Sequence, residues 1–194
     1  MLFQSDFGLT YDSSVVATAG NTSTTAITIA NSGSTAPCAV RAKATNSLAI
    51  GSGGQFSIYT DGGTTPIMTA VTPTAATPIA LTGFSGVTLS WSAGTVVNND
   101  TWDAAAAAWT DQAASPHNAS SSGGTRPIIT PGTGGKLGTK GNGTNTRFTT
   151  SLGALAAPAT TNQYMYVLAR MLSTPAGNAS ICSIPGGTSF GIYC

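Results

Sequence analysis

The chain of 194 residues has little charge and no glutamate, since all six of its acidic residues are aspartate. Charged residues make up 7% of the sequence, whereas about 25% is usual in soluble domains. The net charge of +1 gives no basic surface for nucleic acid or for an anionic membrane. No apolar run approaches the ~20 residues of a membrane-spanning helix. Met1–Phe7 lacks the basic start and apolar core of a secretion signal, so we expect no signal peptide.

Cysteine is also scarce, with three residues at positions 38, 182 and 194. Their odd number and wide spacing match neither a zinc site nor a disulfide framework. We interpret Cys38, Cys182 and Cys194 as free or buried thiols of a protein made in a reducing cytoplasm. A bridge between Cys182 and Cys194 is the alternative. The sequence predicts no metal and no cofactor.

Threonine, serine, alanine and glycine dominate instead, with 24 glycines and 10 prolines. Threonine favours strands because its branched Cβ stiffens χ1, and Gly, Pro, Asn and Ser mark turns. Alternation places Thr25, Ile27 and Ile29 on one face of a strand, and Val87–Trp91 alternates in the same way. The sequence therefore predicts an all-β protein, with six or so short strands over residues 21–102 forming a small β-sandwich or barrel.

Further features of this segment specify its strands and turns. Cys38–Ala44 is a candidate strand on which Arg41 and Lys43 share the solvent face. Gln55–Thr60 is the next strand, and Asp61–Gly63 is a strong tight-turn signal. Three prolines over Pro66–Pro78 predict an edge strand followed by a loop.

The run Phe56–Thr64, followed by Gly86–Trp91, Ala93–Val96 and Asp100–Trp102, resembles a β-module common in virion proteins of tailed bacteriophages. In that module a strand with Asp-Gly-Gly precedes a Thr-Leu-aromatic strand, a Gly-Thr turn and Asp-Thr-Trp. The resemblance implies a structural module that attaches to a particle.

Alanines 104–108 are the best helix formers of the chain, and Asp103 is suited to cap them. We predict a short helical linker over residues 103–108, anchored by Trp102 and Trp109, between two β-modules. Residues 1–20 are predicted to form an N-terminal arm ordered mainly by contact with something else, with a short strand at Val15–Ala17.

From Trp109 onward the sequence resembles the opening of concanavalin-A-like, laminin-G-like jelly-roll domains. The structural signature of that resemblance comprises Trp109, Asp111, His117, Asn118, Arg126 and Pro127. It implies a second β-sandwich over residues 109–194. Such domains are longer than this stretch, so we expect a sandwich truncated at its C-terminus or completed by partner chains.

The candidate chemistry in this stretch is weak, and we predict no catalytic residues. Asp111 and His117 form the one acid–base pair of interest, but both belong to the structural signature. No nucleophile elbow accompanies them, and the paired carboxylates of a glycosidase are missing apart from the neighbours Asp100 and Asp103. The aromatic residues are expected to pack in cores rather than to line a sugar platform.

These observations predict a structural, non-catalytic component of a phage virion, in the tail, fibre or head-decoration class. Its partners would be other virion proteins and copies of itself, in a homo-oligomer that is a trimer if the protein is a fibre. Contact with a host glycan through residues not yet assigned is an extension of this prediction. The alternative is a secreted or surface carbohydrate-binding module. A glycan-degrading enzyme would need carboxylates beyond Cys194.

Overall fold

The structure is a computed structural model that describes residues 9–18, 20–32, 38–109, 119–121, 126–131, 137–141 and 149–150. The chain divides between Leu152 and Gly153 into two compact units, and every described residue belongs to the first. The described residues contain no helix and form twelve strands. These are β1 Leu9–Ala17, β2 Ile27–Asn31, β3 Arg41–Ala44, β4 Phe56–Tyr59, β5 Pro66–Val71, β6 Ile79–Ala80, β7 Val87–Trp91, β8 Thr101–Trp109, β9 Ala119–Ser120, β10 Ile128–Pro131, β11 Leu137–Lys140 and β12 Thr149–Thr150.

Two antiparallel sheets share the strand β1. The first has the order β5-β4-β3-β8-β1, and the second has the order β1-β2-β7-β6. Strand β1 pairs with β8 at both of its ends and with β2 at its middle, where Ser14 lies opposite Thr28. Two register shifts, on either side of Tyr11, allow one strand to serve both sheets, because an extra residue bends a strand and changes the direction of its pairing. The all-β prediction and its sandwich character are therefore confirmed for the described residues.

One apolar core lies between the two sheets. Phe56 on β4 contacts Trp91 on β7 at a ring-centroid distance of 5.3 Å and Trp102 on β8 at 5.7 Å. Ile27 and Leu89 from the second sheet are buried in the same cluster. The alternation predicted for β2 and β7 is confirmed, since the residues predicted to face inward are buried.

Strand β8 is the central strand of the described fold. One of its edges pairs with β1 from Trp102 to Trp109. Its other edge pairs first with β3, then with β10 at Ala105, and finally with β9 at Ala108 and Trp109. Strands β9 and β10, from the predicted second module, thus extend the sheet of the first. Ile129 on β10 packs with Ala39 and Ala106 in a second small cluster.

The predicted helix over residues 103–108 is wrong, because these residues form the middle of β8. Helix propensity is a weak preference that tertiary context overrides. Residues Asp103 to Ala106 are buried although their side chains alternate between the two faces. Alanine suits such a position because its small side chain allows other elements to approach both faces of the sheet. Asp103 does not cap a helix, and its carboxylate instead binds Arg41, its cross-strand partner on β3.

The predicted arm, residues 1–20, contains β1, which pairs with β8 and β2 of the same chain. The predicted short strand Val15–Ala17 forms the end of β1. The edge strand predicted near Ile67 and Val71 is also present, because β5 lies at the end of the first sheet. The limits of the predicted modules 21–102 and 109–194 stay a prediction, since most of the second module lies outside the described residues.

Candidate functional site

The structure describes half of the predicted jelly-roll signature. Trp109 ends β8, where its backbone pairs with Leu9 and Ala119. Arg126 and Pro127 precede β10, and the Pro127 carbonyl accepts a hydrogen bond from the Ala106 amide at 2.9 Å. The signature residues Asp111, His117 and Asn118 lie outside the described residues, as do the cysteines 182 and 194. The structural role predicted for Asp111 and His117 therefore stays a prediction.

An ion pair joins β3 to β8. Arg41 donates from Nε to Oδ1 of Asp103 at 2.7 Å and from Nη2 to Oδ2 at 2.9 Å. The two residues are direct cross-strand partners, so the ion pair is bidentate and fixed by the sheet register. The Asp103 side chain is 8% exposed and that of Arg41 is 32% exposed. The Arg41 side chain also lies against the turn at Gly63, whose Cβ position would be 3.1 Å from Cδ of Arg41.

A second polar contact joins β1 to the segment before β3. The Tyr11 hydroxyl accepts a hydrogen bond from the Cys38 amide at 2.5 Å and lies 3.0 Å from the Cys38 carbonyl and 3.2 Å from its Sγ. Cys38 is a buried free thiol, as predicted. Burial raises the pKa of the Cys38 thiol from 9.0 to about 11, although the Tyr11 hydroxyl opposes the shift. Burial, followed by the proximity of Cys38, raises the pKa of Tyr11 as well.

We predict that the chain loses stability as the pH rises from 9 to 11. The folded state holds the Cys38 proton up to a pKa of about 11, whereas the unfolded chain releases it near 9.0, so unfolding is favoured across this window. The expected loss of unfolding free energy is on the order of 2 kcal/mol. Urea denaturation followed by tryptophan fluorescence at stepped pH measures it. In Cys38→Ala the decline that begins near pH 9 should disappear, leaving only the later decline due to Tyr11. An unchanged decline would contradict the assignment.

Two aspartates organise turns at the surface. Asp61 accepts the amides of Gly63, Thr64 and Thr65. The predicted tight turn is instead a six-residue loop, 60–65, between β4 and β5. Oδ2 of Asp100 accepts the amide of Thr22 and both the amide and hydroxyl of Ser23 at 2.6–2.9 Å. Desolvation alone would raise the pKa of Asp100, but these donors outweigh it and hold the pKa below 3.8. Asp100 is therefore ionised at neutral pH and accepts all three hydrogen bonds.

Asn21 extends this anchoring by side-chain contacts that resemble a sheet ladder. Its Nδ2 donates to the Thr101 carbonyl at 2.6 Å, and its Oδ1 accepts from the Thr101 amide at 3.2 Å. Together with Asp100, it attaches the start of the segment before β2 to the start of β8.

Comparison of the chain with protein-family models, curated proteins and solved structures finds no match. Its function must therefore be inferred from its own residues. Within the described ranges, no three His, Cys, Asp or Glu side chains lie close enough together to hold a metal ion. The same ranges contain no helix long and apolar enough to cross a membrane.

The polar side chains described above bind neighbouring strands and turns of the fold. Their geometry supports strand registration, and none of them is arranged as a nucleophile beside a base. Sequence reasoning missed the Arg41–Asp103 and Tyr11–Cys38 contacts because the partners are 62 and 27 residues apart. The alternation of Arg41 with Ala42 indicated only that Arg41 lies on the face opposite to the core.

Proposed function

We propose that the chain is a structural, non-catalytic component of a phage virion that assembles with copies of itself and with other virion proteins. The observation that carries the proposal is the outer face of the second sheet. This face presents small neutral side chains in register, namely Thr28 opposite Ser90 and Ala30 opposite Thr88, with Ala80 beside Thr88. With a net charge of +1 and no charged side chain at these positions, little repulsion keeps copies of the chain apart, which favours association.

Two further observations support the same role. The resemblance of residues 56–102 to a phage virion module falls on β4, β7 and the start of β8, which form the centre of the core. The ion pair Arg41–Asp103 and the hydrogen bonds of Asn21 and Asp100 join strands and turns to each other, as expected of a structural protein. Attachment to other virion proteins through residues 1–102 is part of the proposal. Contact of the region 109–194 with a host glycan is its extension.

Sedimentation of the purified full-length chain tests this proposal. We expect a closed homo-oligomer at micromolar concentration. Thr28→Lys places a charge on the neutral face and should weaken assembly about tenfold or more, because like charges would face each other across the interface. The matched control Thr82→Lys adds the same charge to an exposed turn residue and should leave assembly unchanged.

Three other outcomes would count against parts of this proposal. A wild-type chain that stays monomeric at all concentrations would contradict the assembly role. Equal effects of Thr28→Lys and Thr82→Lys would exclude the neutral face as its basis. A stable monomer that binds glycans reproducibly on an array would favour the alternative, a carbohydrate-binding module.

A further inference from the structure

We propose that β1 is an exchangeable strand, which one copy of the chain donates to the sandwich of a second copy. The occupant of the slot between β8 and β2 is then β1 of the partner copy, and the two copies become interlocked. This inference deepens the proposed function, on which it rests for the crowding of copies that favours exchange.

Strand β1 occupies a position in the fold that the same strand of a second copy could fill. Strand β1 is near the N-terminus, yet it fills the slot between β8 and β2 and belongs to both sheets. It contributes Val15 to the core and places the Tyr11 hydroxyl on Cys38. All these contacts are made by β1 to the rest of the chain. A second copy of β1 in the same slot would reproduce each of them, so exchange changes no contact within the sandwich.

The connection between β1 and β2 begins with a tight turn. The Asn21 amide donates to the Thr18 carbonyl at 3.1 Å, and Gly20 has a positive φ of 93°, a conformation that glycine adopts at no steric cost. The residues after the turn, Asn21 to Ser23, are held by Thr101 and Asp100. The backbone can therefore straighten at Gly20 while the rest of the connection stays in place. A short hinge between two paired strands is the arrangement that favours exchange.

Strand β1 is in backbone register with β8 over more of its length than with β2. The two strands are consecutive in sequence, but they share the single registered pair Ser14 and Thr28, whereas β1 pairs with β8 at six positions. The ladder with β8 therefore sets most of the register of β1 in its slot. Strand β1 is thus placed by long-range contacts that a second copy satisfies equally well.

Mass action then decides between the closed and exchanged forms. A short flexible connection gives a tethered strand an effective concentration in the mM range. Copies at comparable local concentration compete with the tether on equal terms, as in a crowded assembly. Dilute chains should keep β1 in their own sandwich, and concentrated chains should exchange it.

A disulfide reporter tests the exchange in the full chain. Cys182 and Cys194 are replaced by serine, and one batch carries Ser14→Cys while another carries Thr28→Cys. Equal amounts are unfolded, mixed, refolded at mM concentration and oxidised. If β1 exchanges, about half of the dimers hold one copy of each kind and can form an intermolecular disulfide between positions 14 and 28. Non-reducing electrophoresis and mapping of the linked peptides detect it.

A matched pair of glycine variants tests the hinge. Gly20 and Gly83 both have positive φ and both have open space around the position of a Cβ. Gly20→Val should straighten the turn, because a branched residue disfavours positive φ, and should raise the crosslinked fraction at least about twofold at a given concentration. Gly83→Val introduces the same strain away from β1 and should leave the crosslinked fraction unchanged.

The experiment can refute strand exchange without refuting the proposed virion role. A chain carrying both Ser14→Cys and Thr28→Cys reports the cis pairing as an internal disulfide. If this chain locks internally while the mixed single variants never crosslink at mM concentration, the exchange proposal is overturned. Assembly seen by sedimentation would still support the virion role. If neither arrangement crosslinks, the pairing of Ser14 with Thr28 is wrong and the proposal falls with it.

Discussion

Phe56→Ala is expected to destabilise the chain by about 3–5 kcal/mol. Phe56 is fully buried and its ring lies between those of Trp91 and Trp102. Its removal leaves a cavity where the two sheets meet, and it also removes two aromatic contacts worth about 0.5–1.5 kcal/mol each beyond their buried area. Because domains are stable by only about 5–15 kcal/mol, we expect a large drop in the urea midpoint.

Two controls separate the core position of Phe56 from general loss of apolar surface. Phe56→Leu keeps most of the volume and should cost less than half as much as the alanine variant. Leu48→Ala removes an apolar side chain that is 49% exposed and should change the unfolding free energy by less than about 0.5 kcal/mol. Equal losses in Phe56→Ala and Leu48→Ala would show that the core does not lie between these sheets.

Asp103→Ala is expected to cost about 2–3 kcal/mol, the second largest effect. It leaves the Arg41 guanidinium without its bidentate partner, and an unpaired charge in a partly buried position is costly. Since the Arg41 side chain is 32% exposed, solvent offsets part of the about 3–5 kcal/mol expected for a fully buried pair. Urea unfolding of the full-length variant measures the loss.

A double-mutant cycle assigns this loss to the pair. Arg41→Met combined with Asp103→Ala should cost clearly less than the sum of the two single substitutions, because both charges are then removed. Lys43→Met changes the neighbouring cation on the same face and should couple to Asp103 by less than about 0.5 kcal/mol. A helix cap at Asp103 would predict a loss near 1 kcal/mol and no coupling to Arg41, so additive effects of the two mutations would contradict the ion pair.

The sequence was sufficient to predict strands where side chains alternate in size and polarity. Ile27, Ile29 and the residues of β7 alternate because one face meets the core and the other does not, and Asp61 marks the loop between β4 and β5 through local hydrogen bonds. These features depend on near neighbours in the chain. They account for the strands of the sandwich and for its aromatic centre.

The central strand could not be predicted from the same signals. A run of five alanines has no period, because identical side chains cannot distinguish a face that repeats every two residues from one that repeats every 3.6. Strand β1 is hidden for a different reason, since two register shifts around Tyr11 interrupt its alternation. The pairs Arg41–Asp103 and Tyr11–Cys38 depend on sheet order, which requires partners far apart in sequence. The residues that hold the sheets together are therefore those that local patterns describe least well.

The backbone of Ala104–Ala108 in solution tests the central claim of this account most directly. In a labelled full-length sample, nuclear Overhauser contacts are predicted across β8, between Thr10 and Ala108 on one edge and between Ala105 and Ile128 on the other. Contacts between Arg41 and Asp103 should complete the pattern. Strong sequential amide–amide contacts through Ala104–Ala108, with none of these cross-strand contacts, would show a helix and would contradict the central strand.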